Sequence, residues 1–307
     1  MTVLGVFSKG VRQVMSMKRL VLIFFLPNLL LALMMILPVV SLIHGSLKQS
    51  LFGTNTTSRF EILWLEDFLY GHGDALVALL PIWLALAILY FVVELFLVGG
   101  ALGVFSSGEP LDLRKFCNEA YRHFFILLRL FLLSLLFYGL VLVVYGMVAD
   151  TLTGDLPRTS ATEQPIVLIN WALYAVLFFF LSLVNMCFEY ARVKAVADRR
   201  GGALRETWSA LKFVMRNKLR TLSVYYLLLL VQVTVTVLGV HVVGLLSQSS
   251  LLVVALVFVV QELFVMLRVT VRLVSYSSEM ALYHSLKAVT EEARESAVSL
   301  AEQLPAT

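Results

Sequence analysis

The sequence is poor in nearly everything a soluble enzyme is built from. Only 14% of its 307 residues are charged, and it has five histidines, two cysteines and seven prolines. Cys117 and Cys187 form no CxxC pair and have no metal-ligand neighbour at proper spacing. A disulfide framework and a structural zinc site are therefore not expected, and both residues read as small packing groups. None of His44, His72, His123, His241 and His284 has a second His, Asp or Glu at ligand spacing on a shared helical face. His72, in Gly71-His72-Gly73-Asp74, reads as part of a turn. No GxxxxGK[ST] phosphate loop, GxSxG elbow or HExxH helix is present. No metal, cofactor or catalytic residue is expected, and the chain reads as a non-enzyme.

What the chain has is apolar length. It is 60% hydrophobic, with a mean hydropathy of +0.90. A soluble domain of this size could not hide that surface, whereas a bilayer takes it as solvent. Crossing hydrocarbon needs about 20 mainly apolar residues in helix. Six stretches qualify: roughly 20–43, 76–104, 124–149, 166–191, 221–246 and 251–275. The first is too long for a signal-peptide core and lacks a cleavage site, so a retained anchor is expected. Pro27, Pro38 and Pro81 fall inside apolar runs, where kinks are tolerable if neighbouring helices cover the freed carbonyls. Only Gln248 and its serine neighbours separate the last two stretches, which predicts a tight hairpin.

The net charge of +4 and pI near 9.1 sit in the connections rather than in a nucleic-acid patch, so nucleic acid is not an expected partner. Lys9, Arg12, Lys18 and Arg19 precede the first span. Arg114, Lys115 and Arg122 follow the second. The connection after the fourth is the richest, from Arg192 and Lys194 to Lys218 and Arg220. The other side carries Lys48, Arg59 and Arg158 among seven acidic residues. That asymmetry predicts cytoplasmic N- and C-termini in a bacterial inner membrane. The outer connection 44–75 places Phe60, Trp64 and Phe68 at helical spacing among acids, so a short helix along the headgroups is expected there.

Three stretches share one design, a basic amphipathic piece running into a span: FSKGVRQVMSMKRLVLIFF from Phe7, LRKFCNEAYRHFFILLRLF from Leu113 and LRETWSALKFVMRNKLRTLSVYYL from Leu204. The expected fold is therefore an all-α membrane protein with six transmembrane helices, arranged as three repeats of an elbow helix plus a hairpin. The repeats cover about 1–110, 111–200 and 201–290 within one polytopic domain, 1–307, with a tail at 291–307. In the third copy Leu204, Trp208, Leu211 and Met215 share one helical face. Lys18, Arg19, Arg114, Lys115, Arg205, Lys212, Arg216, Lys218 and Arg220 would then meet anionic lipid of the cytoplasmic leaflet. Gly99, Gly100 and Gly103 form a small-residue face for close helix packing.

The second span of each repeat holds one glutamate: Glu94, Glu189 and Glu262. A carboxylate in hydrocarbon needs a partner, a wet cavity or a proton. Glu189 stands three residues before Arg192, so a local helix pair is expected. Glu262 has Arg268 and Arg272 further along its own span. Glu94 has no cation within a turn, and Arg129 in the third span is the expected partner. A structural interhelical network and a functional polar site both remain open for these residues.

The stretch FEYARVKAVADRRGGALRETWSALKFVMRNKLRTLSVYYL, Phe188 to Leu227, carries a signature. An aromatic-acidic-Tyr-Ala-Arg span end leads through an acidic-Arg-Arg turn into an elbow. With RLVSYSSEMALYHSL from Arg272, it resembles a group of uncharacterised bacterial six-span membrane proteins. The elbow-plus-hairpin repeat is more remotely similar to the membrane domain attached to some glycerophosphodiester phosphodiesterases. The resemblance covers about 185–290 in sequence and is architectural before that. It implies the fold and a bacterial origin but no activity, and no stretch here could form that family's catalytic barrel.

Two functions follow as expectations. One is a non-catalytic scaffold, accessory subunit or lipid-handling protein, with a protein partner docking at the 44–75 loop or the C-terminal tail. The other is a small-solute or ion pathway lined by the intramembrane Glu and Arg residues. Met280, Tyr283, Leu286 and Val289 are spaced as one face of a helix beneath the bundle.

Overall fold

The computed structural model describes residues 2–49, 62–153, 164–198, 202–246 and 251–303. Among them the secondary structure is helical: α1 (Val3–Ser16), α2 (Lys18–Gln49), α3 (Ile62–Gly71), α4 (Gly73–Ser107), α5 (Leu113–Thr153), α6 (Gln164–Ala197), α7 (Ala203–Arg216), α8 (Lys218–Gly244) and α9 (Leu251–Gln303). Helix dominates because hydrocarbon offers no partner for a free N–H or C=O, so each span must satisfy its own backbone.

Six of these helices, α2, α4, α5, α6, α8 and α9, are long and apolar enough to cross a membrane. In each, at most 17% of the most apolar stretch is buried within the protein. Leu37, Leu84, Leu136 and Leu168 point outward at 62–69% exposure. Such a surface is insoluble in water and ordinary in lipid, so the chain is a multi-pass membrane protein. Pro27, Pro38 and Pro81 lie inside continuous helices.

The chain forms two compact units. The first comprises Met1–Gln13, Gly99–Leu228 and Val274–Thr307, and the second Val14–Val98 and Leu229–Leu273. In the first, α5 packs along α6, and α7 packs on both. The glycine face at the end of α4 does what its spacing predicts. A Cβ on Gly100 would stand 2.6 Å from the Phe116 ring, and one on Gly103 would stand 2.5 Å from Glu119 Cβ. Only hydrogen fits at this crossing with α5. Gly10 of α1 is pressed in the same way onto Ser278 of α9. Gln13 adds polar ties, donating to the Phe105 carbonyl at 3.4 Å and accepting from Ser277 Oγ at 2.7 Å.

Two of the three expected elbows are separate helices. α1 ends before Met17 and α2 starts at Lys18; α7 ends before Asn217 and α8 starts at Lys218. Asn217 closes α7 by donating from its backbone and its side chain to the Phe213 carbonyl, both at 3.1 Å. The middle stretch differs: from Leu113 it is simply the first turns of α5, without a break. The C-terminal helix is not a separate element either, because α9 continues through Glu279 to Gln303. Its Met280, Tyr283 and Leu286 are buried and Val289 is exposed. α3 occupies part of the connection between α2 and α4; Phe60 and the turn around Gln248 lie outside the described residues.

Candidate functional site

Polar groups gather at three places. In the second unit, Arg272 of α9 reaches Glu94 of α4, with Nη1 2.8 Å from Oε1. The Glu94 side chain is 10% exposed and that of Arg272 is 42% exposed. This corrects the expected pairing with Arg129, which is exposed on α5. Both arginines lie deep in apolar runs, and their depth alone could not rank them.

Also in the second unit, α8 and α9 enclose a groove of about 560 Å³. Glu262, Arg268, Gln261 and Thr236 give it polar walls, and Val235, Val240 and Phe264 give it apolar ones. Gly239 sits against Phe264, where a Cβ would approach the ring to 3.1 Å. Glu262 and Arg268 thus share a groove that Glu94 and Arg272 do not line.

The third place, in the first unit, was not visible from the sequence. Asn185 of α6 is its hub. The amide nitrogen donates to Glu189 Oε1 at 3.0 Å and to the Tyr225 hydroxyl of α8 at 3.1 Å. Its oxygen accepts from the Tyr138 hydroxyl of α5 at 3.0 Å. Both amide protons and the amide oxygen are engaged, so the partners fix the orientation of the side chain. One turn earlier, Ser182 and Tyr226 hydrogen-bond at 2.9 Å.

Among the described residues no ion pair joins Glu189 and Arg192; the carboxyl accepts instead from Asn185. Glu279 and Tyr190 are each 1% exposed, and Glu279 Oε2 and the Tyr190 hydroxyl have no hydrogen-bond partner. The i,i+4 spacing of Asn185 and Glu189 is the one signal of this site that the sequence carries.

Aromatic packing holds the surroundings. Phe213 of α7 lies between Tyr190 and Tyr283, with ring centroids 5.9 and 5.3 Å away. Asp198 accepts from Tyr283 at 2.8 Å and Lys287 at 2.9 Å. Burial opposes its charge, but the hydrogen bonds from Lys287 and Tyr283 outweigh that and hold the carboxyl below its ordinary range. Lys194 of α6 contacts Ser209 of α7.

On α7 the apolar face is bare: Leu204 is 73% exposed, Trp208 61% and Met215 64%. Arg205, Lys212 and Arg216 are exposed on the same helix. Lys212 Nζ stands 5.5 Å from the Trp208 ring centroid. Lys18, Arg19, Arg114, Lys115, Lys218 and Arg220 are exposed as well, Lys115 in contact with Glu109.

Of the expected packing cysteines, Cys187 is half-buried, whereas Cys117 is exposed. His72 stacks on Phe68 at 4.8 Å and bonds its carbonyl, in keeping with a local turn. Among the described residues no group of three His, Cys, Asp or Glu side chains is placed to hold a metal ion. Comparison with protein-family models, characterised proteins and solved structures finds no match.

Proposed function

We propose that the protein is a non-catalytic integral protein of a bacterial inner membrane that gathers anionic lipid at the cytoplasmic leaflet. Its termini and basic helix ends face the cytoplasm. The elbow helices α1 and α7 lie in the headgroup layer, their cations among lipid phosphates. The observation that carries this reading is α7, a basic helix whose Leu204, Trp208 and Met215 are exposed beside Arg205, Lys212 and Arg216. A cytosolic helix packed on a loop would bury that apolar face, whereas a helix at the headgroup boundary sinks it into the acyl region.

The test is native mass spectrometry of the full chain released from nanodiscs containing both phosphatidylglycerol and phosphatidylcholine. Retained phosphatidylglycerol should dominate, and the combined R205Q/K212Q/R216Q variant should lose it selectively. Each basic side chain near an anionic surface contributes roughly 1 kcal/mol, so three should change lipid affinity by about a hundredfold. Equal retention of the two lipids would overturn the proposal. A protein partner held at the 44–75 loop or the tail would make the chain an accessory subunit instead.

A second reading, a route for a small solute or ion, is favoured by the groove between α8 and α9, with Glu262 and Arg268 in its wall. Under that reading Glu262→Gln abolishes flux into proteoliposomes while the folded yield is unchanged.

A further inference from the structure

The groove between α8 and α9 holds two side chains of opposite charge, Glu262 and Arg268. Glu262 is half-buried and Arg268 is exposed. Among the described residues neither takes part in an ion pair, and neither side chain makes a hydrogen bond. Their places on one helix differ by roughly 9 Å of rise, so they stand at two levels of the groove. Arg272, about one turn further on, differs in being taken up by Glu94.

Hydrogen-bonding capacity lies open beside these charges. Thr236 donates its hydroxyl proton to the Gln232 carbonyl at 2.9 Å, which leaves the hydroxyl oxygen able to accept. The Gln261 side chain is exposed and makes no hydrogen bond among the described residues, so its amide oxygen is open too. Val240 and Phe264 line the remainder with apolar surface. At about 560 Å³ the groove has the size of a small-molecule site.

We propose that this groove binds a zwitterion bearing a primary ammonium and an acid group, the ammonium at Glu262 and the acid at Arg268. Charge makes the choice. Within a spanning segment an unanswered carboxylate or guanidinium is costly, so each calls for a counter-charge. A simple anion would satisfy Arg268 but share the groove with Glu262, and a simple cation would meet the reverse fault. One molecule with both charges answers the two and leaves no net charge in a region of low dielectric. Thr236 and Gln261 accept from N–H groups, which a primary ammonium has and a quaternary one lacks. Free amino acids and the headgroup of phosphatidylethanolamine both carry this chemistry. The inference rests on the groove of the solute-route reading and adds the class of occupant; it concerns binding and requires no flux.

Two arms test it on the full chain in nanodiscs. In the lipid arm the nanodiscs hold equal phosphatidylethanolamine and phosphatidylcholine, and native mass spectrometry reads which lipid stays bound. In the solute arm, nanodiscs of phosphatidylcholine alone are titrated with leucine, isocaproate and isoamylamine. These carry both charges, the acid only and the amine only. Selective retention of phosphatidylethanolamine supports the proposal and identifies a lipid headgroup as the source. Saturable leucine binding, about tenfold or more tighter than either analogue, supports it and identifies a free amino acid. Glu262→Gln and Arg268→Gln should each weaken the bound species about ten- to hundredfold. Both variants should keep the wild-type Tm, and the analogue comparison needs no variant. Equal retention of the two lipids together with no leucine binding overturns the proposal. A leucine affinity matched by isocaproate or isoamylamine, or binding that both variants leave intact, overturns it as well. Flux without such binding would sink this proposal and leave the route reading standing, whereas binding without flux would do the reverse.

Discussion

Arg272 and Glu94, on α9 and α4, stand 2.8 Å apart and form the one ion pair between spanning helices among the described residues. Where little water reaches, each charge is tolerable only beside the other, so the pair sets which face of α4 meets α9. Glu94→Gln and Arg272→Gln should each destabilise the protein. The double variant should cost less than the sum, with a coupling energy of roughly 1–3 kcal/mol. Denaturation of the four proteins in mixed micelles measures it. Additive losses would show that the two side chains do not act on one another.

The α4–α5 crossing tolerates no methyl group. Gly100→Ala places a Cβ 2.6 Å from the rigid Phe116 ring and should cost about 1–3 kcal/mol by overpacking. Gly139→Ala is the control, because nothing lies within 4 Å of its Cβ position on α5. There the better helix propensity of alanine should leave stability unchanged or raise it by up to about 1 kcal/mol. Tm values of the two variants should therefore move in opposite directions, or only the first should move.

Asn185 should be harder to replace than any one of its partners. Asn185→Leu strands Glu189, Tyr138 and Tyr225 together, a loss on the order of 3 kcal/mol for part-buried groups left unpaired. Tyr138→Phe removes a single hydrogen bond and should cost about 1 kcal/mol. Retained helicity against temperature, followed by circular dichroism in micelles, separates the two. Equal losses would mean that the amide is not the hub.

Asp198 makes the tie between the end of α6 and α9 depend on pH. Its folded pKa lies below the ordinary value of 3.8, burial being outweighed by the bonds from Lys287 and Tyr283. A depressed carboxyl stabilises the fold above its unfolded value and loses that contribution as pH falls through the folded one. Acid unfolding should therefore begin at higher pH in Lys287→Met than in wild type. Asp198→Asn should remove the acid-dependent component. Tm profiles from neutral to strongly acidic pH show whether it does.

Much of this architecture could be read in advance, and the particular residues show why. The run from Val21 to Leu42 is apolar over the length a bilayer demands, whatever the rest of the chain does. Gly99, Gly100 and Gly103 declare a close crossing because nothing else justifies three small residues on one face. Leu204, Trp208 and Met215 share a face through the helical period alone. The break between α7 and α8 follows the expected elbow, whereas the Leu113 stretch, of similar composition, continues unbroken into α5.

Partners behave differently. Arg192 is three residues from Glu189, yet the carboxyl takes its hydrogen bond from Asn185, one turn away on the same helix. Local pattern by itself determined that the chain crosses a membrane, where its helices run and which stretches are basic. Those properties follow from hydrophobic length and the 3.6-residue period, which act on neighbours along the chain. Only the tertiary structure decided that Glu94 meets Arg272 and that Asn185 joins three helices. Such pairings depend on which helices lie side by side, and packing between distant segments sets that.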